Sequence, residues 1–172
     1  MTRLLSFCLF FISSMPLQAQ KKTVFSIVGS LHQTQYDISK SQNAFGLGIG
    51  GKFSYRLAPK LLLDAEVGKA LFGGTKEMVV INGKPLNPKY GITHRYLGLQ
   101  YPIIFPLSMA SHWGHYSLDG ESHHGFRQSA LLAFSKKEKI HLRISFDHVF
   151  QDHELMEGDW GFWSSGLVVR LF

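Results

Sequence analysis

The chain has 172 residues, enough for one domain and little more. Its formal charge of +6 admits an anionic partner, yet no run of Lys and Arg alternates with stacking aromatics, so nucleic acid is not implied. A single cysteine, Cys8, excludes disulfide cross-links and leaves stability to backbone pairing and side-chain packing.

The first twenty residues carry Arg3 as their only charge, followed by an apolar run from Leu4 to Ile12 and a small, polar exit ending at Gln20. That layout predicts a secretory signal peptide over 1–19, cut after Ala19. The apolar run is too short to cross a bilayer of about 30 Å as a helix. Phe7 is too bulky to precede a lipidated cysteine, which argues against Cys8 as a lipid anchor. Leu17 is larger than the usual residue three before the cut, so neighbouring bonds stay open.

From Thr23 onward the apolar period is two, not 3.6. In the stretch from Phe45 to Leu57 the odd positions are greasy apart from Gly51, while the even ones are Gly46, Gly48, Gly50, Lys52, Ser54 and Arg56. Leu61, Leu63, Ala65, Val67 and Leu71 then alternate with Asp64, Glu66 and Gly68. Leu97, Leu99, Tyr101, Ile103 and Phe105 form a third greasy face, and Ile140, Leu142, Ile144, Phe146 and Phe150 a fourth. Opposite the last lie His141, Arg143, Ser145 and Asp147. A soluble sandwich would turn its polar face to water. Glycine mixed with charges of both signs fits the packed interior of a narrow barrel better.

Eight strands are predicted, over 23–36, 44–57, 60–72, 92–105, 112–118, 125–134, 139–151 and 160–171. The connections 58–59, 106–111 and 135–138 are short, and those at 38–43, 73–91, 119–124 and 152–159 form the other set. The longest is expected to hold its own hairpin turned at Asn82-Gly83. Short turns at the end holding both termini and longer loops opposite are the order of an outer-membrane barrel. The predicted fold class is therefore all-β: after a cleaved signal peptide, 20–172 form an eight-stranded antiparallel up-and-down transmembrane β-barrel in a Gram-negative outer membrane. Gly166, Val169, Leu171 and Phe172 fall in a final strand that resembles the C-terminal targeting strand of such proteins, with Phe172 one place late.

The run Tyr96-Leu97-Gly98-Leu99-Gln100-Tyr101-Pro102-Ile103-Ile104-Phe105 resembles a mid-barrel strand of the Bacteroidota outer-membrane β-barrel family (PorT-like), in which a Tyr-Leu pair precedes proline and an apolar run. The resemblance extends in outline to strand order, the long second outer loop and the last strand. It implies a membrane location and a barrel, and no reaction. Some members serve larger secretion or transport assemblies, so the implied partners are outer-membrane lipid, the barrel-assembly machinery during insertion, and a larger envelope complex.

Facing inward, Lys52, Arg56, Asp64, Glu66, Arg143, Asp147 and Arg170 would form a lumenal ion network. An eight-stranded barrel is only wide enough for side chains to fill, so these charges read as a plug before they read as a proton or ion path. A small-solute channel is disfavoured for the same reason. His112, His115, His123 and His124 lie near Asp119 and Glu121. Imidazole and carboxylate suit Zn, Cu or Ni, but the spacing matches no closed four-ligand pattern. They are expected to belong to a polar outer loop, and no metal or cofactor is assigned. Small barrels also include lipid A deacylases, which use a His and a Ser two residues apart on the seventh strand. Here His148 is followed at that distance by Phe150, so the nucleophile is missing. Ser145 and Asp147 fall on the opposite face, and Glu154 and Glu157 in the next loop could orient His148 without supplying a hydroxyl. His148 is expected instead at the membrane interface among Phe146, Phe150 and Trp160. The expected function is a non-enzymatic barrel, structural or accessory to an envelope assembly; the alternative is a lipid A-modifying enzyme.

Overall fold

A computed structural model of the protein describes residues 22–35, 44–73, 79–81, 84–86, 90–118, 121–134, 139–150 and 159–171. The expected signal segment and Phe172 lie outside these residues. Among the described residues there are ten strands: β1 (Thr23–Thr34), β2 (Phe45–Ala58), β3 (Leu61–Phe72), β4 (Val79–Ile81), β5 (Lys84–Leu86), β6 (Tyr90–Ile104), β7 (Leu107–Leu118), β8 (Glu121–Ala133), β9 (Ile140–Val149) and β10 (Trp160–Arg170). Eight of them close into one antiparallel barrel in which each strand pairs with its neighbour in sequence and β10 returns to β1. The short β4 and β5 pair with each other in the β3–β6 connection, flanking residues 82–83 as expected.

Alternation explains the wall. On β2, Phe45, Leu47 and Ile49 are about two-thirds exposed while Lys52 is 3% exposed. Leu97 on β6 is 59% exposed, yet its neighbour Tyr96 is buried. The apolar faces point out and the charges point in, the reverse of a water-soluble barrel and the arrangement a lipid solvent requires. Closing the sheet leaves no unpaired edge in that solvent: β1 pairs with β10 from Ser26↔Arg170 to Thr34↔Phe162.

Register sets the interior width. Paired residues run round the wall from Ser26 through Lys52, Glu66, Tyr96, Gly114, Gly125 and Val149 to Trp160. The residue of β10 opposite Ser26 is nevertheless Arg170, so the circuit closes with a stagger of ten residues. Strands in such a barrel tilt by about 35–45°, and its interior is just wide enough for side chains.

Three expectations need correction. β7 begins at Leu107, five residues ahead of the predicted start, and only Phe105-Pro106 separate it from β6. Outward polar residues such as Ser111 and Ser117 hide the period there. β8 begins at Glu121, so the predicted loop over 119–124 shrinks to a two-residue connection. His112 and His115 lie on β7 and His123 and His124 on β8, so the four histidines do not form a polar outer loop.

An arginine at position 97 would sit in the middle of the lipid-facing wall. Leu97→Arg should destabilise the folded barrel in vesicles by about 2–4 kcal/mol, read from reversible denaturant unfolding. Leu57→Arg, beside the terminus-side rim, should cost about 0–1 kcal/mol. Equal effects at the two positions would contradict a membrane-embedded wall.

Candidate functional site: the charged layer inside the barrel

The middle of the lumen is built around Arg127, which is 0% exposed. Its Nε donates to Asp147 Oδ1 at 2.8 Å, on the neighbouring strand β9. Its Nη1 donates to Glu66 Oε1 at 2.6 Å, on β3 across the lumen, and Nη2 donates to Tyr96 Oη at 3.1 Å. One planar guanidinium thus ties β8 to three other strands, a task that needs the fixed fork of arginine. The Tyr96 ring also lies under the guanidinium, 4.2 Å from Cζ to centroid. Asp147 Oδ1 further accepts from Tyr96 Oη at 2.7 Å and Tyr116 Oη at 2.8 Å.

Glu66 is held from both sides. Arg143 Nη1 donates to its Oε2 at 2.6 Å, and His94 Nε2 lies 3.5 Å from its Oε1. Towards the terminus side, Lys52 Nζ sits 2.7 Å from Asp64 Oδ2 and donates to Gln100 Oε1 at 2.7 Å. His112 Nε2 lies 3.5 Å from the same Asp64 oxygen. Lys52, Arg127 and Arg143 therefore face Asp64, Glu66 and Asp147, three charges of each sign in a layer nearly closed to solvent.

Small residues make the room. Gly114 and Gly125 are directly opposite each other on β7 and β8. A Cβ on Gly114 would stand 2.7 Å from the Tyr96 ring, and one on Gly125 would stand 2.6 Å from the Tyr116 ring. The two tyrosines lie over bare backbone, which lets both hydroxyls reach Asp147. Ser129, Ser145 and Ser164 form a paired row across β8, β9 and β10, which leaves that wall thin between Arg127 and Arg143.

Apolar clusters close the layer at both ends. On the loop side, Phe72, Ile92, Val149, Trp160 and Phe162 pack with the tyrosine rings, and Phe72 meets Trp160 and Phe162 at centroid distances of 5.3 and 5.6 Å. On the terminus side, Val28, Ala110, Leu131 and Val168 pack together. A buried chain, His32 Nδ1 to Ser164 Oγ at 2.7 Å and Ser164 Oγ to Asp147 Oδ2 at 3.4 Å, links the loop-side cluster to the ion pairs.

Of the residues expected in the lumenal network, Lys52, Asp64, Glu66, Arg143 and Asp147 meet in this layer. Arg56 does not: it is exposed near the terminus-side end of β2, beside a register shift. Arg170 sits half-buried at the last position of β10. Arg127, Tyr96, Tyr116, His94 and His112 are the members that the sequence pattern missed. Gly125, Arg127, Ser129 and Leu131 do share one parity, but outward Gln128 and Ala130 weaken the contrast.

The histidine group separates. His112 points inward to Asp64, while His115 and His124 face outward with ring centroids 4.3 Å apart. Among the described residues, no three His, Cys, Asp or Glu side chains are grouped so as to hold a metal ion; Asp119 lies outside them. His148 Nε2 is 2.9 Å from Asp159 Oδ2, and its ring lies against Phe126 and Phe150. Trp160, expected beside it on the outside, is instead buried in the lumen, and Phe146 packs on Trp163. Glu154 and Glu157 lie outside the described residues. Gly166 and Val169 are on β10, and Leu171, just after it, donates its N–H to Phe25 O at 2.9 Å.

No family model and no curated sequence matches the chain. Solved structures do. The backbone structure of the outer membrane protein Ail of Yersinia pestis in a phospholipid bilayer nanodisc aligns with TM-score 0.59 and 13% identity, over 87% of this chain and 100% of that one. Neisserial surface protein A aligns with TM-score 0.56 and 8% identity, over 87% and 97%. A structure from the de novo design of transmembrane β-barrels aligns with TM-score 0.53 and 12% identity, over 86% and 95%. At such identities the likeness is one of fold. Joined to the apolar exterior, it makes the chain an integral outer-membrane barrel.

Arg127→Ala would leave Glu66 and Asp147 buried with less positive charge, and breaking a buried pair typically costs about 3–5 kcal/mol. The denaturant midpoint should fall accordingly. Adding Asp147→Ala to Arg127→Ala should cost less than the two single losses together, because the residues are in contact. Additive losses would show that the contact contributes nothing.

Proposed function

We propose that the protein is a non-enzymatic outer-membrane barrel that acts as a rigid structural element or accessory subunit of a larger cell-envelope assembly. The filled lumen carries this reading. Three cations and three carboxylates are consumed by one another, and apolar clusters lie above and below them. Such an interior commits its arginines, lysine and carboxylates to one another. What remains available for work is the outer wall and the loops, which suits a partner-facing role. The strand from Tyr96 to Phe105 supports a place near the PorT-like barrels, whose members include components of secretion and transport assemblies. A signal peptide ahead of residue 20 and insertion by the barrel-assembly machinery belong to the same proposal.

The lipid A-modifying alternative rests on one observation, the His148–Asp159 pair at the loop-side end of the wall. A base and its orienting carboxylate are only two parts of an acyl-transfer site; a nucleophile is also needed. Position 150 is phenylalanine, and Ser145 is buried on the inner face. A hydroxyl and an imidazole do meet at Ser164 and His32, but both are buried, and Nε2 of His32 faces Ser30 instead of a carboxylate.

Expression of the protein should leave the acyl chains of lipid A unchanged by mass spectrometry, and purification in mild detergent should retain an envelope protein at fixed stoichiometry. Loss or transfer of an acyl chain that His148→Ala abolishes would replace the scaffold with the enzyme. Recovery of the barrel alone from native membranes would remove the accessory role.

A further inference from the structure

The outer wall is not uniform around its circumference. On β3, β6, β7 and β8, the outward row of Ala65, Leu97, Trp113 and Phe126 is wholly apolar. One step towards the loops the paired row reads Val67, Arg95, His115 and His124. The next reads Lys69, Thr93, Ser117 and Ser122. Rows on one face are separated by about 6.6 Å along the strand, so the wall changes from greasy to cationic and hydroxylic over a very short rise. Lys69, Arg95, His115 and His124 are all exposed.

The exposed carboxylate of Asp159, just before β10, is paired with His148. Asp64 and Glu66 on β3 and Asp147 on β9 point into the lumen. Among the described side chains of β3, β6, β7 and β8, none facing outward is acidic. On the opposite side of the barrel, Leu31, Phe45, Leu47 and Trp163 face outward with Gln33 and Ser165 on β1, β2 and β10, a stretch of wall without charge. A cation facing hydrocarbon is costly, and the cost falls away only towards the interface. Trp113, Phe126 and Phe150, with Trp113–Phe150 centroids at 5.8 Å, mark that interface as an aromatic girdle does. Long Lys and Arg stems lie along apolar surface while their heads reach the polar layer. The row thus meets the outer leaflet where lipid headgroups carry their phosphates.

We propose that Lys69, Arg95, His115 and His124 form a docking site on the membrane-facing wall for a phosphate group of an outer-leaflet lipid. Arg95 offers a planar fork that matches phosphate oxygens, and Lys69 a mobile point charge one row above. His115 and His124 supply ring N–H donors from the two adjacent strands, and Thr93, Ser117 and Ser122 supply hydroxyls in the upper row. The site rests on the outer-membrane placement of the barrel but not on its accessory role. It gives the barrel one face that prefers phosphorylated lipid and an opposite face, on β1, β2 and β10, left for acyl chains or a protein neighbour.

The test uses the folded protein in phosphatidylcholine nanodiscs containing a small fraction of either bisphosphorylated lipid A or the same lipid stripped of both phosphates. Lipid retained by the barrel is counted by native mass spectrometry after release. The phosphorylated form should be retained in preference to the stripped form by the unmodified protein, a comparison that needs no variant. Lys69→Gln with Arg95→Gln should weaken retention roughly thirtyfold, about fivefold for each cation near the surface. Arg95→Lys should restore most of it, and Lys60→Gln with Lys139→Gln at the other rim should change nothing. Equal retention of the two lipids overturns the proposal. So does equal or tighter binding of soluble inorganic phosphate or a sulfated glycan, which would place the anion's source outside the bilayer. Failure of the heated and unheated protein to migrate differently would instead remove the barrel's membrane placement, a result distinct from either.

Discussion

Arg127 reaches Asp147 on the next strand and Glu66 across the lumen with a single side chain, and much of the interior is arranged to let it do so. Tyr96 and Tyr116 lie over Gly114 and Gly125 because those positions lack a Cβ, and their hydroxyls then complete the coordination of Asp147. Arg143 and His94 take up the remaining reach of Glu66. The stagger of the eight strands leaves a space of side-chain width, so a long cation can reach across it to carboxylates on two walls.

Such pairs are poor sources of net stability, since desolvation offsets most of their attraction. Their stronger effect is on register. A one-residue slip of any strand exchanges its faces. For β8 that slip would turn Arg127 to lipid, and for β3 it would turn out both Asp64 and Glu66. Each error strands a charge in hydrocarbon and leaves its partners uncompensated inside. The ion layer and the apolar exterior thus penalise the same mistakes, and the closed wall is specified twice. Apolar clusters on either side keep water from relieving the penalty.

How legible this was depended on the contrast between faces. β2, β3 and β9 alternate greasy residues with charges or glycine, so their strands, faces and inward charges could be read from period alone. β7 and β8 could not. Their outward positions include Ser111, His115, Ser117, Ser122, His124 and Gln128, which erase the alternation that would have announced Arg127 and His112 as inward. Of these, His115, Ser117, Ser122 and His124 belong to the cationic and hydroxylic patch at the loop-side end, so the pattern failed largely where the wall departs from a uniform lipid surface. Arg56 and Arg170 show a different limit. Parity assigns a face but not a height, and both lie near strand ends, where an inward-facing charge escapes to the rim.

Membrane barrels with wide lumens work through the hole in the middle, whereas the proposal for this one puts its work on the surface, because the charges described in its lumen pair with one another. The most direct measure of that claim is the electrical behaviour of the purified, heat-modifiable protein in planar bilayers. A lumen filled by the Arg127 layer and closed by its apolar clusters predicts no stable conductance steps in the unmodified protein across a wide voltage range. Well-defined steps of constant size, appearing with each insertion and altered by substitution at Arg127, would mean that ions pass through the layer, and would contradict it.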